Sequence, residues 1–283
     1  MNCSPAAPPQ AASAVAHVRS LARGGPIDPT WRVTVHFHPD RLAGTVPILR
    51  AMAADCRYRS QFDTGTSNGG LTAHPGGDRW RWESRLFGGA YDSAAAAARP
   101  VYGSLNHRHR PAGGSPRFGS AHLRLNAATL ARTTFCYPDS VFEPADVGTA
   151  DRCRLAELAD ADDQEPLDDY VEAHVHGGVC FARDVEALVL DPCFRGTDVE
   201  ADAHLLGVPV QWHPGFRARV AEVAAHPEYR GADVVAAAAR VARGGVLDAR
   251  IIGEAVRSGR FDAQVLKRVW HCTARFGSPG TDR

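Results

Sequence analysis

The eight residues YVEAHVHG at positions 170–177 constrain this chain more than any other stretch. Apolar and ionisable side chains alternate along them, which is the period of a β-strand, where successive side chains point to opposite faces. Val171, Ala173 and Val175 then face a core, while Tyr170, Glu172, His174 and His176 share the other side. A carboxylate and two imidazoles in one row can do acid–base or metal chemistry. The plain structural alternative is a half-exposed edge strand.

Other segments alternate in the same way. RVTVHFH at 32–38 sets Thr34, His36 and His38 against Val33, Val35 and Phe37. GSAHLRL at 119–125 sets Ser120, His122 and Arg124 against Ala121, Leu123 and Leu125. RYRSQF at 57–62 reads as a further strand with Arg57, Arg59 and Gln61 on one side. An arginine fork can donate two parallel hydrogen bonds to a pyrophosphate. The TGTSNGG that follows at 64–70 can bring backbone N–H groups close to phosphate or ribose. If these faces line one cleft, it suits a large, phosphorylated, polar ligand better than a lipid.

Around these strands the chain has a clear order. A helix is expected over 11–23, ended by Gly24-Gly25-Pro26, and another over 47–54. Residues 63–119 read as loop, held in order by Trp80, Trp82, Phe87, Tyr91 and Tyr102, a form that long loops take at functional sites. Strands follow at 133–137 and 185–190, then helices at 216–225, 232–243, 248–258 and 262–276. Strands segregated from later helices indicate an α+β fold with a mixed or antiparallel β core. The expected divisions are a disordered tail and helix over 1–30, a strand-rich core over 31–200, a helical part packed on it over 201–276, and a tail over 277–283.

Composition excludes some function classes. The chain has 32 Lys+Arg against 32 Asp+Glu, which leaves no electrostatic footprint for nucleic acid or an anionic membrane. Seven cysteines, with no C-x-x-C pair, do not resemble a disulfide framework. The first residues lack the basic and apolar regions of a signal peptide, and no window approaches the ~20 apolar residues that span a bilayer. The expectation is a soluble protein, cytoplasmic in the producing cell or secreted without a cleaved signal.

Taken together, RYRSQFDTGTSNGG at 57–70, WESRLFGGAYD at 82–92, GGSPRFGSAHLRL at 113–125, TTFCYPDS at 133–140 and DDYVEAHVHG at 168–177 resemble one bacterial family long described only as a domain of unknown function. That family is similar to the one containing the CteC-type effectors, which ADP-ribosylate a threonine of ubiquitin. The resemblance runs from about His36 to Phe276. It implies a β core of ADP-ribosyltransferase type, NAD as substrate, no metal, and a protein acceptor such as ubiquitin. It implies that Arg57 or Arg59, with Arg59 favoured, grips the NAD pyrophosphate or nicotinamide ribose. Thr64, Thr66, Ser67, Asn68, Gly69 and Tyr91 are further cofactor contacts under the same reading. Ser120, with Thr134 behind it, would be the hydroxyl-bearing strand element. Glu172 would bond the nicotinamide-ribose hydroxyl and stabilise the developing oxocarbenium ion. Where many transferases carry Glu-x-Glu, this chain has Tyr170-Val171-Glu172, so an arginine acceptor is disfavoured. A threonine acceptor needs a general base, a role open to His174.

Two other classes fit the same residues. His36-x-His38 and His174-x-His176 could hold zinc or manganese in a hydrolase, with Asp40, Asp169 or Glu172 completing the site. A non-enzymatic interaction protein would leave the polar strand faces and glycine loops without a purpose.

Overall fold

The computed structural model describes residues 8–65 and 72–278. Residues 1–7 and 279–283, and the cofactor candidates Thr66, Ser67, Asn68 and Gly69, lie outside the described residues. The expected tail over 277–283 begins in order, with Ser278 bridged to Arg217.

Eight strands make the main sheet. They are β1 (Val33–Phe37), β2 (Val101–Leu105), β3 (Ala121–Leu125), β4 (Thr133–Tyr137), β5 (Asp146–Thr149), β6 (Val171–Val175), β7 (Val185–Leu190) and β8 (Val210–Trp212). Their spatial order is β8-β7-β3-β1-β2-β6-β4-β5. Every neighbouring pair is antiparallel except β7 with β8. The helices include α1 (Pro9–Leu21), α2 (Ile48–Asp55), α3 (Asp78–Leu86), α4 (Leu155–Ala161), α5 (Ala232–Val241), α6 (Ala249–Arg257) and α7 (Ala263–Phe276). The fold is α+β, built on a mainly antiparallel sheet.

The alternation of YVEAHVHG places Val171, Ala173 and Val175 in the main core with Val33, Val35, Leu123, Leu188 and Leu155. The opposite face of the sheet is covered as well. There α1, α3 and the turns after α3 bring Ala14, Val18, Trp82, Leu86, Phe87 and Tyr91 against Cys136 and Val147. β6 is therefore an inner strand between β2 and β4, buried at every residue, rather than a half-exposed edge. A second apolar cluster, including Val234, Ile252, Leu266 and Trp270, holds α5, α6 and α7 together. It is tied back to the sheet side by Trp270 Nε1, which donates to the Pro116 carbonyl at 3.0 Å. Among the described residues no helix is long and apolar enough to cross a membrane.

Several elements differ from the reading of the sequence. Arg57 and Tyr58 make only a two-residue strand against Val179–Cys180. The Ser60 hydroxyl then accepts from the Asp63 N–H and starts a single helical turn, Gln61–Thr64. The shared face of Arg57, Arg59 and Gln61 therefore does not form. The expected loop over 63–119 contains both α3 and β2. In α3 the buried residues Arg79, Trp82, Glu83 and Leu86 have helical spacing, but two are charged, so no apolar stripe announced it. In β2 the signal is broken by Gly103, where a Cβ would lie 2.6 Å from the Thr34 carbonyl oxygen of the adjacent strand. The expected helix over 216–225 begins instead as a strand, Arg217–Arg219, paired with Val246–Asp248.

Candidate functional site

Cross-strand register assembles the polar face. Ser104 on β2 pairs with Glu172 on β6, which pairs with Cys136 on β4. One step along, Tyr102 pairs with His174, which pairs with Thr134. On the far side Thr34 pairs with both Ser104 and Arg124, and His36 with His122. The loop over 113–119 closes on this row. The Gly114 N–H donates to Thr34 Oγ1 at 3.0 Å, and the Ser115 hydroxyl to Ser104 Oγ at 2.9 Å. Gly119 makes the approach possible, because a Cβ there would lie 2.1 Å from the Phe37 carbonyl carbon.

Between that loop and α3 lies a recess of about 100 Å³. Glu172, only 6% exposed, lies on its floor beside Tyr102 and His36. Its Oε1 meets His174 Nε2 at 3.0 Å, and its Oε2 accepts from the Ser140 hydroxyl at 3.1 Å. Arg79 Nη1 stands 4.0 Å from Oε1 and donates to Ser140 Oγ at 2.8 Å. Burial works to raise the Glu172 carboxyl pKa, but His174, Arg79 and Ser140 outweigh it and hold the group below the ordinary value. The recess therefore ends on an ionised carboxylate.

A second buried ion pair supports the wall. Glu83 on α3 takes Arg99 at 2.5 Å and the Tyr102 hydroxyl at 3.0 Å. The Arg79 guanidinium lies 4.3 Å from the centre of the Tyr102 ring. Asp139 holds the Val141 N–H at 2.9 Å and accepts from the Tyr170 hydroxyl. Burial, and then the Glu172 charge, raise the Asp139 pKa.

Beside the recess lies a cleft of about 910 Å³, within the range of small-molecule and cofactor sites. Tyr58, Arg59 and Phe118 line both cavities, so the recess and the cleft adjoin there. Arg41, Arg57, Arg117 and Lys267 are among the other lining residues of the cleft. Arg57 is paired with Asp63 at 2.9 Å, and Arg59 with Asp55 at 2.7 Å.

The structure brings some of the sequence candidates together and separates others. Arg59 reaches both cavities, whereas Arg57 and Thr64 line the large cleft alone. His174 is fully buried behind Glu172, so any action on a ligand in the recess must pass through that carboxylate. Thr134, His176 and Tyr91 lie behind it in turn, off both cavities. Ser120 is also off both; it is buried, and its carbonyl is bonded to His213 Nε2 at 2.7 Å. The hydroxyl that meets Glu172 belongs instead to Ser140, at the end of the TTFCYPDS motif but outside the strand that carries Thr134. Arg79 and Tyr102 were concealed by the glycine-rich surroundings of α3 and β2.

The four histidines of the metal reading do not converge. His36 bonds the Gly119 carbonyl at 3.1 Å and accepts the Ser115 N–H, while His38 packs edge-on to Trp270. Asp40 is taken by Arg257 at 2.7 Å, and Asp169 by Arg108 at 2.5 Å. Among the described residues the metal-like group is Cys136, Glu172 and His174, with ligand atoms within 4.8 Å of one another. Arg79 already faces Glu172 at 4.0 Å, a cation standing where a bound metal would have to compete.

Fold and site together define an α+β protein with an ionised carboxylate at the end of a lined recess beside a larger cleft. The chain belongs to the family described as a protein of unknown function (DUF3626), whose model matches residues 32–161 and 152–275. A search of curated proteins finds no match.

Proposed function

We propose that this protein is a mono-ADP-ribosyltransferase that transfers ADP-ribose from NAD to a protein hydroxyl, with a threonine of ubiquitin as the acceptor suggested by the resemblance to CteC-type effectors. The observation that carries this reading is Glu172, held ionised on the floor of a recess that adjoins, at Arg59, a cleft large enough for the rest of a dinucleotide.

In this reading the nicotinamide ribose enters the recess and the ADP portion lies in the large cleft. Arg59, the arginine common to both cavities, meets the pyrophosphate between them. As the bond from ribose C1′ to the nicotinamide nitrogen breaks, nicotinamide leaves neutral and positive charge develops on the ribose. A carboxylate already fixed beside that centre stabilises the charge without reorganising. The acceptor oxygen then bonds to C1′ and its proton passes to Glu172, the base that lines the recess. His174 supports this step from behind rather than meeting the acceptor. Delivery as an effector belongs to the same reading.

The test is to incubate the full chain with NAD and ubiquitin and weigh the intact ubiquitin by mass spectrometry. The expected result is a gain of one ADP-ribose that Glu172→Gln abolishes. No gain, with no nicotinamide release for ubiquitin or any other protein acceptor, would overturn the proposal.

A further inference from the structure

A continuous file of buried hydrogen bonds leads away from the recess. The Tyr91 hydroxyl lies 2.8 Å from His176 Nδ1, and His176 Nε2 lies 3.0 Å from Thr134 Oγ1. Thr134 Oγ1 is 3.2 Å from His174 Nδ1, and His174 Nε2 is 3.0 Å from Glu172 Oε1. Thr134, His174 and His176 have no exposed surface, and Tyr91 is 1% exposed. Only the Glu172 end lines a cavity.

With one hydrogen on each imidazole, donor and acceptor inventories fix the direction of this file. An ionised carboxylate only accepts, so His174 Nε2 carries the hydrogen of the last bond. A neutral imidazole then has a bare Nδ1, which must take the Thr134 hydroxyl hydrogen. The Thr134 oxygen in turn accepts from His176 Nε2–H, and the bare His176 Nδ1 accepts from Tyr91. His174, Thr134 and His176 each use one donor and one acceptor, and every donor points toward Glu172. The opposite direction requires either a protonated Glu172, against Arg79 and the Ser140 donors, or a second hydrogen on His174, at Nδ1.

We propose that Tyr91, His176, Thr134 and His174 form a one-directional chain that keeps the Glu172 carboxylate ionised and in one rotamer. In chains of this kind successive bonds polarise one another, and the final bond, to a charged acceptor, is the strongest. Tyr91, His176 and Thr134 are thus positioning residues for a carboxylate they do not touch. Packing holds the file in place. The Phe87 ring meets both imidazoles edge-on at 5.5 and 5.0 Å, and Tyr91 stacks on His176 at 5.8 Å. The chain itself is independent of the substrate, whereas its catalytic consequence rests on the transferase reading above.

Two measurements test it. In the ligand-free protein, ¹⁵N NMR of the histidine side chains should show His174 and His176 both protonated at Nε2 alone. Thr134→Val, which keeps the shape and removes the hydroxyl, should abolish that state at His174, and Thr134→Ser should restore it. A hydrogen on His174 Nδ1 in the wild-type protein overturns the chain whatever the enzyme does. In turnover of NAD at neutral pH, Thr134→Val should lower kcat about tenfold with KM for NAD little changed, and Thr134→Ser should restore it. A lowered thermal midpoint with an unchanged kcat would reduce Thr134 to packing and overturn the positioning role. If the wild-type protein does not turn over NAD, the NMR arm still decides the chain.

Discussion

Ser140 and Glu172 are joined by a 3.1 Å hydrogen bond that ties the wall of the recess to its floor. The same Ser140 oxygen accepts from Arg79 at 2.8 Å, so one hydroxyl bridges a buried cation and a buried anion. Removing it leaves Arg79 without that acceptor and Glu172 without that donor. Ser140→Ala should lower stability by about 1–3 kcal/mol, the cost of unpaired buried groups. It should also reduce kcat on NAD at least about tenfold, because the carboxylate loses its fixed orientation. Urea unfolding and steady-state kinetics on the same preparation check both effects; unchanged kcat would separate Ser140 from the chemistry.

Arg59 and Arg57 are two residues apart, but only Arg59 lines both cavities. Arg59→Ala should weaken NAD binding by about tenfold, the scale of one charge-assisted contact of roughly 1.5 kcal/mol. Arg57→Ala should change it by less than about threefold. Calorimetric titration of each variant decides the order, and a larger effect at Arg57 would reassign the contact.

Gly253 lies on α6 where a Cβ would fall 1.5 Å from Asp40 Oδ2, and Arg257 holds that same oxygen at 2.7 Å. Helix propensity alone favours alanine over glycine by about 1 kcal/mol. Here the methyl must displace a carboxylate that is 8% exposed. Gly253→Ala should therefore destabilise the protein by about 2–3 kcal/mol, through loss of a largely buried ion pair. A variant as stable as the wild type in urea would show that Asp40 moves aside freely.

His36, His122, His176 and His271 are all buried, and burial is the main force holding each below its ordinary pKa, His36 and His271 at about 3. A depressed folded-state pKa means that the unfolded chain binds more protons. The stability these groups preserve is complete above the unfolded value of about 6.5 and is lost as pH falls toward 3. Four protons taken up on unfolding give a slope of about 5 kcal/mol per pH unit once the pH is well below 6.5. Urea midpoints should stay level from pH 8 to 7 and collapse between pH 6 and 5. A midpoint that holds to pH 4 would mean that these imidazoles protonate without unfolding the chain.

Much of the strand pattern was legible because alternation is a local property. Val171, Ala173 and Val175 announced a core face, and Glu172, His174 and His176 a polar one, and the structure keeps them apart in that way. RYRSQF alternates in composition as a longer strand does, yet pairing stops at Tyr58 because Ser60 caps a helical turn. α3 and β2 leave no such signal, for a shared reason. Each carries at its centre residues that serve a neighbour, the Arg79 and Glu83 charges and the Gly103 gap, and those erase the apolar period by which elements are recognised.

By itself the sequence determined which side chains share a strand face, that the fold is α+β, and that Glu172 stands among imidazoles. Tertiary structure alone decided which groups meet that carboxylate: Arg79 from α3 and Ser140 from beyond β4 reach it, while Ser120 does not. It also decided that His174 and His176 lie behind Glu172 rather than beside a ligand. The physical reason is range. Alternation and capping are set by neighbours a few residues away, whereas a recess is made by register between distant strands and by what covers them.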